Sequence, residues 1–160
     1  MPKIHPFLWF DKEAEEAMNF YVSLFPNSKV LSVQRYGPVG PGPEGSVMTA
    51  DFELDGQRIT ALNGGPMFNF SEAFSFVIDC KDQAEVDYYW DKLLEGGQPS
   101  QCGWLKDRFG FSWQVVPAAL FETIGGPDPE GRKRALEAMM QMGKLDVGKL
   151  VAAYEGRAAA

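Results

Sequence analysis

The single histidine, His5, is the side chain of this chain best suited to acid–base chemistry or metal binding. Imidazole titrates near neutral pH and is the commonest metal ligand. The two cysteines, Cys80 and Cys102, form no CxxC pair and no zinc-ligand spacing with it. We therefore expect two buried or half-buried thiols in a reducing compartment, although a thiol activated by His5 through space stays open.

Other catalytic patterns are missing from the sequence. There is no GxSxG nucleophile elbow and no HExxH zinc motif. The glycine-rich stretch 37–45 lacks the strand–GxGxxG–helix context of a phosphate loop, and its prolines remove amide donors that an anion would need. We interpret it as a mobile loop that could cover a pocket.

Strand alternation sorts the remaining candidates by face. In the first apolar run one face carries His5, Phe7 and Trp9, and in the last run before Pro117 one face carries Ser112 and Gln114. A glutamine between bulky apolar neighbours needs a hydrogen-bond partner. Gln114 therefore either bonds the backbone of a neighbouring strand or faces a ligand cavity lined by aromatic side chains.

An internal repeat indicates the elements that position these residues. Residues 3–25 and 73–94 both read as a short apolar strand, an aspartate and an amphipathic helix, followed by further strand-like runs. Asp11 is the expected cap of the first helix, and Asp82 with Glu85 forms a capping-box pattern for the second. Asp55-Gly56 predicts a hairpin turn.

The chain changes character after Pro117, where two short helices are expected, beginning near Asp128 and near Asp146. We predict one domain over 1–160, with module one at about 1–66, module two at about 73–117 and a helical appendage at about 118–160.

Composition excludes several classes of partner. The net charge of −7 and pI of about 4.7, with scattered Lys and Arg, argue against binding nucleic acid or anionic membranes. No apolar run approaches the roughly 18 residues that a membrane span needs. The amino end has no apolar signal-type stretch, so we expect a cytoplasmic protein.

Four segments carry a family resemblance: 6–30, 61–66, 102–117 and 140–150. Together they resemble the PhnB-like family, often labelled a 3-demethylubiquinone-9 3-methyltransferase domain, in the vicinal oxygen chelate superfamily of glyoxalases, ring-cleaving dioxygenases and bleomycin-resistance proteins. The resemblance implies an α+β fold of paired βαβββ modules that curl into half-barrels. It also implies a homodimer that completes the cavities.

The resemblance further implies where a metal would bind in metal-using relatives. The four ligand positions fall at His5, Ser75, Gln114 and close to Asn63. One imidazole with two amides and a hydroxyl is a poor donor set, so we predict no cofactor; a divalent metal is possible only through His5. The methyltransferase label lacks support, since the first strand runs into Asp11 and a helix without a glycine loop.

The first functional expectation is a small organic molecule bound in an aromatic-lined cavity, its reaction unknown. The candidate cavity residues are His5, Phe7, Trp9, Asn63, Ser75 and Gln114. The alternatives are a metal-dependent glyoxalase- or dioxygenase-type enzyme using His5, a methyltransferase of quinone metabolism, and a structural dimer whose cavity its own aromatics fill. The sequence does not choose between catalysis and binding.

Overall fold

The computed structural model describes residues 2–158, and the chain divides into two compact units, Met1–Phe70 and Ser71–Ala160. Each unit holds one four-stranded mixed sheet. Within the described residues, no helix combines the length and apolar character needed to cross a membrane.

The first unit is a βαβββ module. Its sheet order is β1-β4-β3-β2, in which β1 runs parallel to β4 and the other neighbours are antiparallel. Its elements are β1 (Phe7–Phe10), α1 (Ala14–Leu24), β2 (Lys29–Arg35), β3 (Val47–Leu54) and β4 (Gln57–Asn63).

One face of this sheet is buried under α1. The helix presents Ala17, Met18 and Tyr21, all buried, because they recur at helical spacing. The sheet side of this core is built from alternate strand residues: Leu8, Phe10, Ala50, Phe52, Ile59 and Ala61. The opposite face therefore carries Phe7, Trp9, Asp51 and Thr60.

Two predicted boundaries in the first unit were wrong. The first strand begins at Phe7 rather than at residue 3, and α1 is capped at Glu13 rather than Asp11. Glu13 makes no side-chain cap bond. A residue from β4 takes that role instead, as described below. The Asp55-Gly56 hairpin between β3 and β4 is confirmed.

The glycine-rich segment 37–45 closes over the buried ring of Tyr36. The Tyr36 backbone forms hydrogen bonds with Ser46 and Gly45 at 2.8 Å each. A Cβ on Gly42 would overlap the Tyr36 ring, so glycine is required for this close approach.

The second unit repeats the topology, with sheet order β5-β8-β7-β6 and β5 parallel to β8. The predicted duplication of βαβββ modules is thus confirmed. Asp82 caps the second helix by accepting the Glu85 amide at 3.0 Å. The elements are β5 (Ser75–Cys80), α2 (Gln83–Leu94), β6 (Gln98–Pro99), β7 (Trp104–Lys106) and β8 (Ser112–Pro117).

Three helices follow β8, and not the two expected: α3 (Ala118–Ile124), α4 (Pro129–Met139) and α5 (Val147–Glu155). The missed helix is α3, which begins directly after Pro117. Proline is tolerated there because the first backbone N–H groups of a helix have no intrahelical partner. These helices share a buried cluster with the end of β8, formed by Val116, Leu120, Met142, Leu145 and Leu150.

Candidate functional site

A chain of hydrogen bonds crosses the face of the first sheet opposite α1. His5 Nε2 lies 3.0 Å from Thr60 Oγ1. Thr60 in turn donates its hydroxyl proton to Asp51, its cross-strand partner. Sequence alternation identified His5 but missed both partners, although a hairpin centred on Asp55-Gly56 pairs residue 51 with residue 60 and could have revealed them.

Asp51 is held as a carboxylate. Burial pushes the pKa of its carboxyl upward, but hydrogen bonds and charge outweigh that effect and the pKa is lowered overall. The stabilising groups are the Thr60 hydroxyl, the Arg58 guanidinium at 3.3 Å and the Ser32 hydroxyl at 3.4 Å. Asp51 therefore acts only as an acceptor at neutral pH.

Phe7 and Trp9 of β1 lie on the same face of the first sheet as Thr60 of β4, and their surroundings differ. Phe7 is 56% exposed. Trp9 is half-buried and donates its indole N–H to the Gly65 carbonyl at 2.9 Å. The Trp9 ring occupies the space that a Cβ on Gly64 would need. It packs edge-on against the Phe68 ring, with the two ring centroids 5.0 Å apart. Trp9 is thus fixed in place, whereas Phe7 is free to contact a ligand.

Asn63 faces the other way, toward α1. Its Oδ1 accepts the Ala14 amide at 2.8 Å, and its Nδ2 donates to the Val47 carbonyl at 3.1 Å. The side chain therefore supplies the α1 cap that Asp11 was expected to supply. The structure does not bring Asn63 together with His5, because the two lie on opposite faces of the first sheet.

In the second unit, Gln114 and Ser75 meet on the face opposite α2. Gln114 Nε2 donates to Ser75 Oγ at 3.0 Å across the parallel β5–β8 pair. The glutamine amide thus bonds a neighbouring side chain and not a neighbouring backbone. Its Oε1 accepts no hydrogen bond from residues 2–158.

Ser112 is the residue that sequence reasoning left out of the candidate set. It lies beside Ser75 in the β5–β8 register and two residues before Gln114, so it shares their face. It is only 1% exposed, and its Oγ has no hydrogen-bond partner among the described residues. A buried hydroxyl without a partner is uncommon and calls for an explanation.

The predicted metal positions do not fit a divalent cation. Across residues 2–158, no group of three or more His, Cys, Asp or Glu side chains is arranged to hold a metal. His5 Nε2 is bonded to Thr60, Asn63 caps α1, and Ser75 with Gln114 offers a hydroxyl and an amide. Metal enzymes need anionic or imidazole donors in these places.

Comparison with known proteins places this geometry in context. Residues 2–116 match the profile of a family described as 3-demethylubiquinone-9 3-methyltransferase. A Bacillus cereus PhnB protein, itself named as such a methyltransferase, is 39% identical over 73% of this chain and 100% of its own, with a TM-score of 0.68. No curated protein matches.

More distant structures share the fold alone. Protein PA1353 of Pseudomonas aeruginosa is 20% identical, covering 73% of this chain and 98% of its own, with a TM-score of 0.61. The fosfomycin resistance protein FosX of Listeria monocytogenes, complexed with Mn(II) and sulfate, is 14% identical over 78% and 98% of the two chains, with a TM-score of 0.53.

Proposed function

Because the chain belongs to the PhnB-like 3-demethylubiquinone-9 3-methyltransferase family of the vicinal oxygen chelate superfamily, we propose that it binds a small organic molecule. The principal contact surface in this proposal is the face of the second sheet opposite α2, with Ser75, Ser112 and Gln114. The first sheet, considered by itself, offers His5, Phe7 and Trp9 as a separate set of candidate contacts.

The unpartnered hydroxyl of Ser112 is the observation that carries the proposal. Burying a hydroxyl without a hydrogen bond costs about 1–3 kcal/mol of folding free energy. A buried, unpaired serine hydroxyl therefore suggests a compensating role such as ligand binding. A ligand with a polar group near Ser112 would give a hydrogen-bond partner both to the Ser112 hydroxyl and to the unused side-chain carbonyl oxygen of Gln114. This explanation needs no further protein group.

The chemistry of this face indicates a neutral ligand. Two hydroxyls and an amide are uncharged hydrogen-bonding groups, suited to carbonyl and hydroxyl compounds. The nearby cation, Lys106, is already paired with Glu72. Trp104, the cross-strand neighbour of Gln114, adds an aromatic side chain to the same face.

Binding is proposed ahead of the two enzymatic alternatives because of the donor set. One imidazole, two amides and a hydroxyl suit neither Mn(II) nor zinc, and the manganese of FosX belongs to that protein. The family's methyltransferase name has no counterpart in a cofactor-binding motif of this sequence. A cytoplasmic homodimer remains part of the proposal, and light scattering after size exclusion tests the dimer.

Ser112→Ala separates ligand binding from folding. The test is a thermal-shift titration with cyclohexanone, phenol and benzamide, in which a ligand at 100 times its Kd stabilises by about 2.7 kcal/mol. We expect Ser112→Ala to lose the shift while its own stability stays equal or rises by about 1 kcal/mol. Ser23→Ala, at an exposed serine that bonds only its own helix, should keep the shift.

Two outcomes would contradict the proposal. Destabilisation of Ser112→Ala by more than about 1 kcal/mol would mean that the hydroxyl has a structural partner. An unchanged shift in Ser112→Ala, or no shift in the unmodified protein with any of these compounds, would remove the second sheet as the contact surface.

A further inference from the structure

A cavity lies at the edge of the first unit, beside the β3–β4 turn, and it shares His5 and Arg58 with the hydrogen-bond chain of the first sheet. It has a volume of about 370 Å³, and its wall includes the apolar residues Pro2 and Ile4, the imidazole of His5, and the polar side chains of Gln57 and Arg58. This volume lies within the range of small-molecule sites. The cavity belongs entirely to the first unit.

The hydrogen bonds behind the cavity determine which nitrogen of His5 carries its proton. Asp51 is ionised and accepts only, so the single hydroxyl proton of Thr60 points to Asp51. The Thr60 oxygen must then accept from His5, and Nε2 is the donor in that 3.0 Å bond. Neutral His5 is therefore the Nε2–H tautomer, and its Nδ1 keeps a lone pair that can accept a hydrogen bond.

The cationic wall of the cavity is supplied by Arg58. One of its nitrogens, Nη2, bonds Asp51 at 3.3 Å, and the planar guanidinium has further N–H donors for a carboxylate. The Gln57 amide adds a neutral donor on the same wall. Asp55 also lines the cavity, but it is exposed at the hairpin turn, where water screens its charge.

We propose that this cavity binds a small 2-hydroxy acid, whose carboxylate contacts Arg58 and whose hydroxyl donates to Nδ1 of His5. Thr60 and Asp51 are positioning residues, since they act on the ligand only through the imidazole. The proposal assigns His5 a role as acceptor and not as metal ligand. This site does not involve Ser112 or the second sheet. A negative result here would therefore leave the proposed ligand surface of the second sheet unaffected, and the converse also holds.

Nitrogen-15 NMR of the full chain tests the tautomer directly, because the protein has one histidine and hence one imidazole signal set. At alkaline pH, where imidazoles are neutral, we expect an Nε2-bound proton that exchanges slowly with water. Thr60→Val should lose that protection, and Thr60→Ser should keep it. Rapid exchange in the unmodified protein, or a protected proton on Nδ1, would overturn the proposal.

Glycolate, with acetate as its analogue lacking the hydroxyl, tests the ligand. Glycolate should shift the Nδ1 signal and acetate should not, and Arg58→Gln should weaken glycolate binding by at least about tenfold, the loss expected for a charge-assisted bond. Arg35→Gln, which alters an exposed arginine bonded to Gly45, is the matched control and should bind normally. Equal shifts with both acids, no shift with glycolate, or unchanged affinity in Arg58→Gln would each refute the assignment.

Manganese supplies an independent readout. Within residues 2–158 no group of three or more His, Cys, Asp or Glu side chains is arranged to hold a metal, so the Nδ1 lone pair of His5 alone is a weak site for Mn²⁺. Mn²⁺ should therefore leave the imidazole signals unbroadened at concentrations that do not perturb the rest of the spectrum. Selective paramagnetic loss of the His5 signals would show that a metal takes the Nδ1 lone pair or displaces Thr60 from Nε2, and the acceptor role would then be wrong.

Discussion

Replacing Asn63 by alanine should destabilise the protein strongly, although it removes only a half-buried polar side chain at the end of a strand. The amide bridges the first residue of α1 and the first residue of β3: Oδ1 accepts from the Ala14 amide at 2.8 Å, and Nδ2 donates to the Val47 carbonyl at 3.1 Å. Loss of a helix cap costs about 1 kcal/mol. Ala14 is 0% exposed, so water cannot readily replace the lost acceptor.

The total loss of stability follows from these contributions. Each buried backbone group left without a partner adds about 1 kcal/mol or more, which gives a loss of about 2–4 kcal/mol for Asn63→Ala. With a urea m-value of about 2 kcal/mol/M, the unfolding midpoint should fall by about 1–2 M. That is a large share of the stability of an ordinary domain, which is about 5–15 kcal/mol.

Urea unfolding followed by circular dichroism measures the change, and Asn19→Ala provides the control. Asn19 lies on the exposed side of α1, so its replacement should change stability by no more than about 0.5 kcal/mol. A change of similar size for Asn63→Ala, with an unaltered m-value, would refute the capping role. It would also return Asn63 to the set of residues available to a ligand.

Two further predictions concern packing and thiol reactivity. Gly64→Ala should cost about 1–3 kcal/mol because its new methyl group overlaps the Trp9 ring, whereas Gly37→Ala, with open space around it, should be nearly neutral in the same urea assay; equal effects would contradict the observed packing. Cys80 is 2% exposed, and burial, reinforced by the negative charge of Glu85, raises the pKa of its thiol to about 12. Ellman's reagent should therefore label only the half-buried Cys102 in the folded protein and both thiols in urea, and native labelling of two thiols would disprove this.

The sequence predicts the architecture well where local signals agree. Alternating apolar and polar residues indicate strands, Asp55-Gly56 indicates a hairpin turn, and Asp82 indicates the start of a helix. Together these local signals predict two βαβββ modules. The missed helix α3 shows the limit of such signals. It is seven residues long and has no side-chain cap at its N-terminus, so its formation depends on tertiary packing, including that of Leu120 against Val116.

The candidate site was harder to predict because its contacts depend on register and on tertiary packing. Alternation correctly placed Gln114 and Ser112 on one face, but only the β5–β8 register puts Ser75 beside them. Asn63 illustrates the opposite case. Its partner Ala14 is 49 residues away, and no local pattern in a strand end indicates that its amide will cap a distant helix.

Val116 lies at the boundary between the part of the chain that matches the family and the three helices that follow it. The family match stops at this residue, and the same residue is the first member of the apolar cluster that holds the last three helices. Without the last three helices this side chain would lose the apolar neighbours Leu120, Met142, Leu145 and Leu150, so we expect family members that end at β8 to favour a more hydrophilic residue here. Apolar or polar character at this one alignment column would then distinguish longer members of the family from shorter ones.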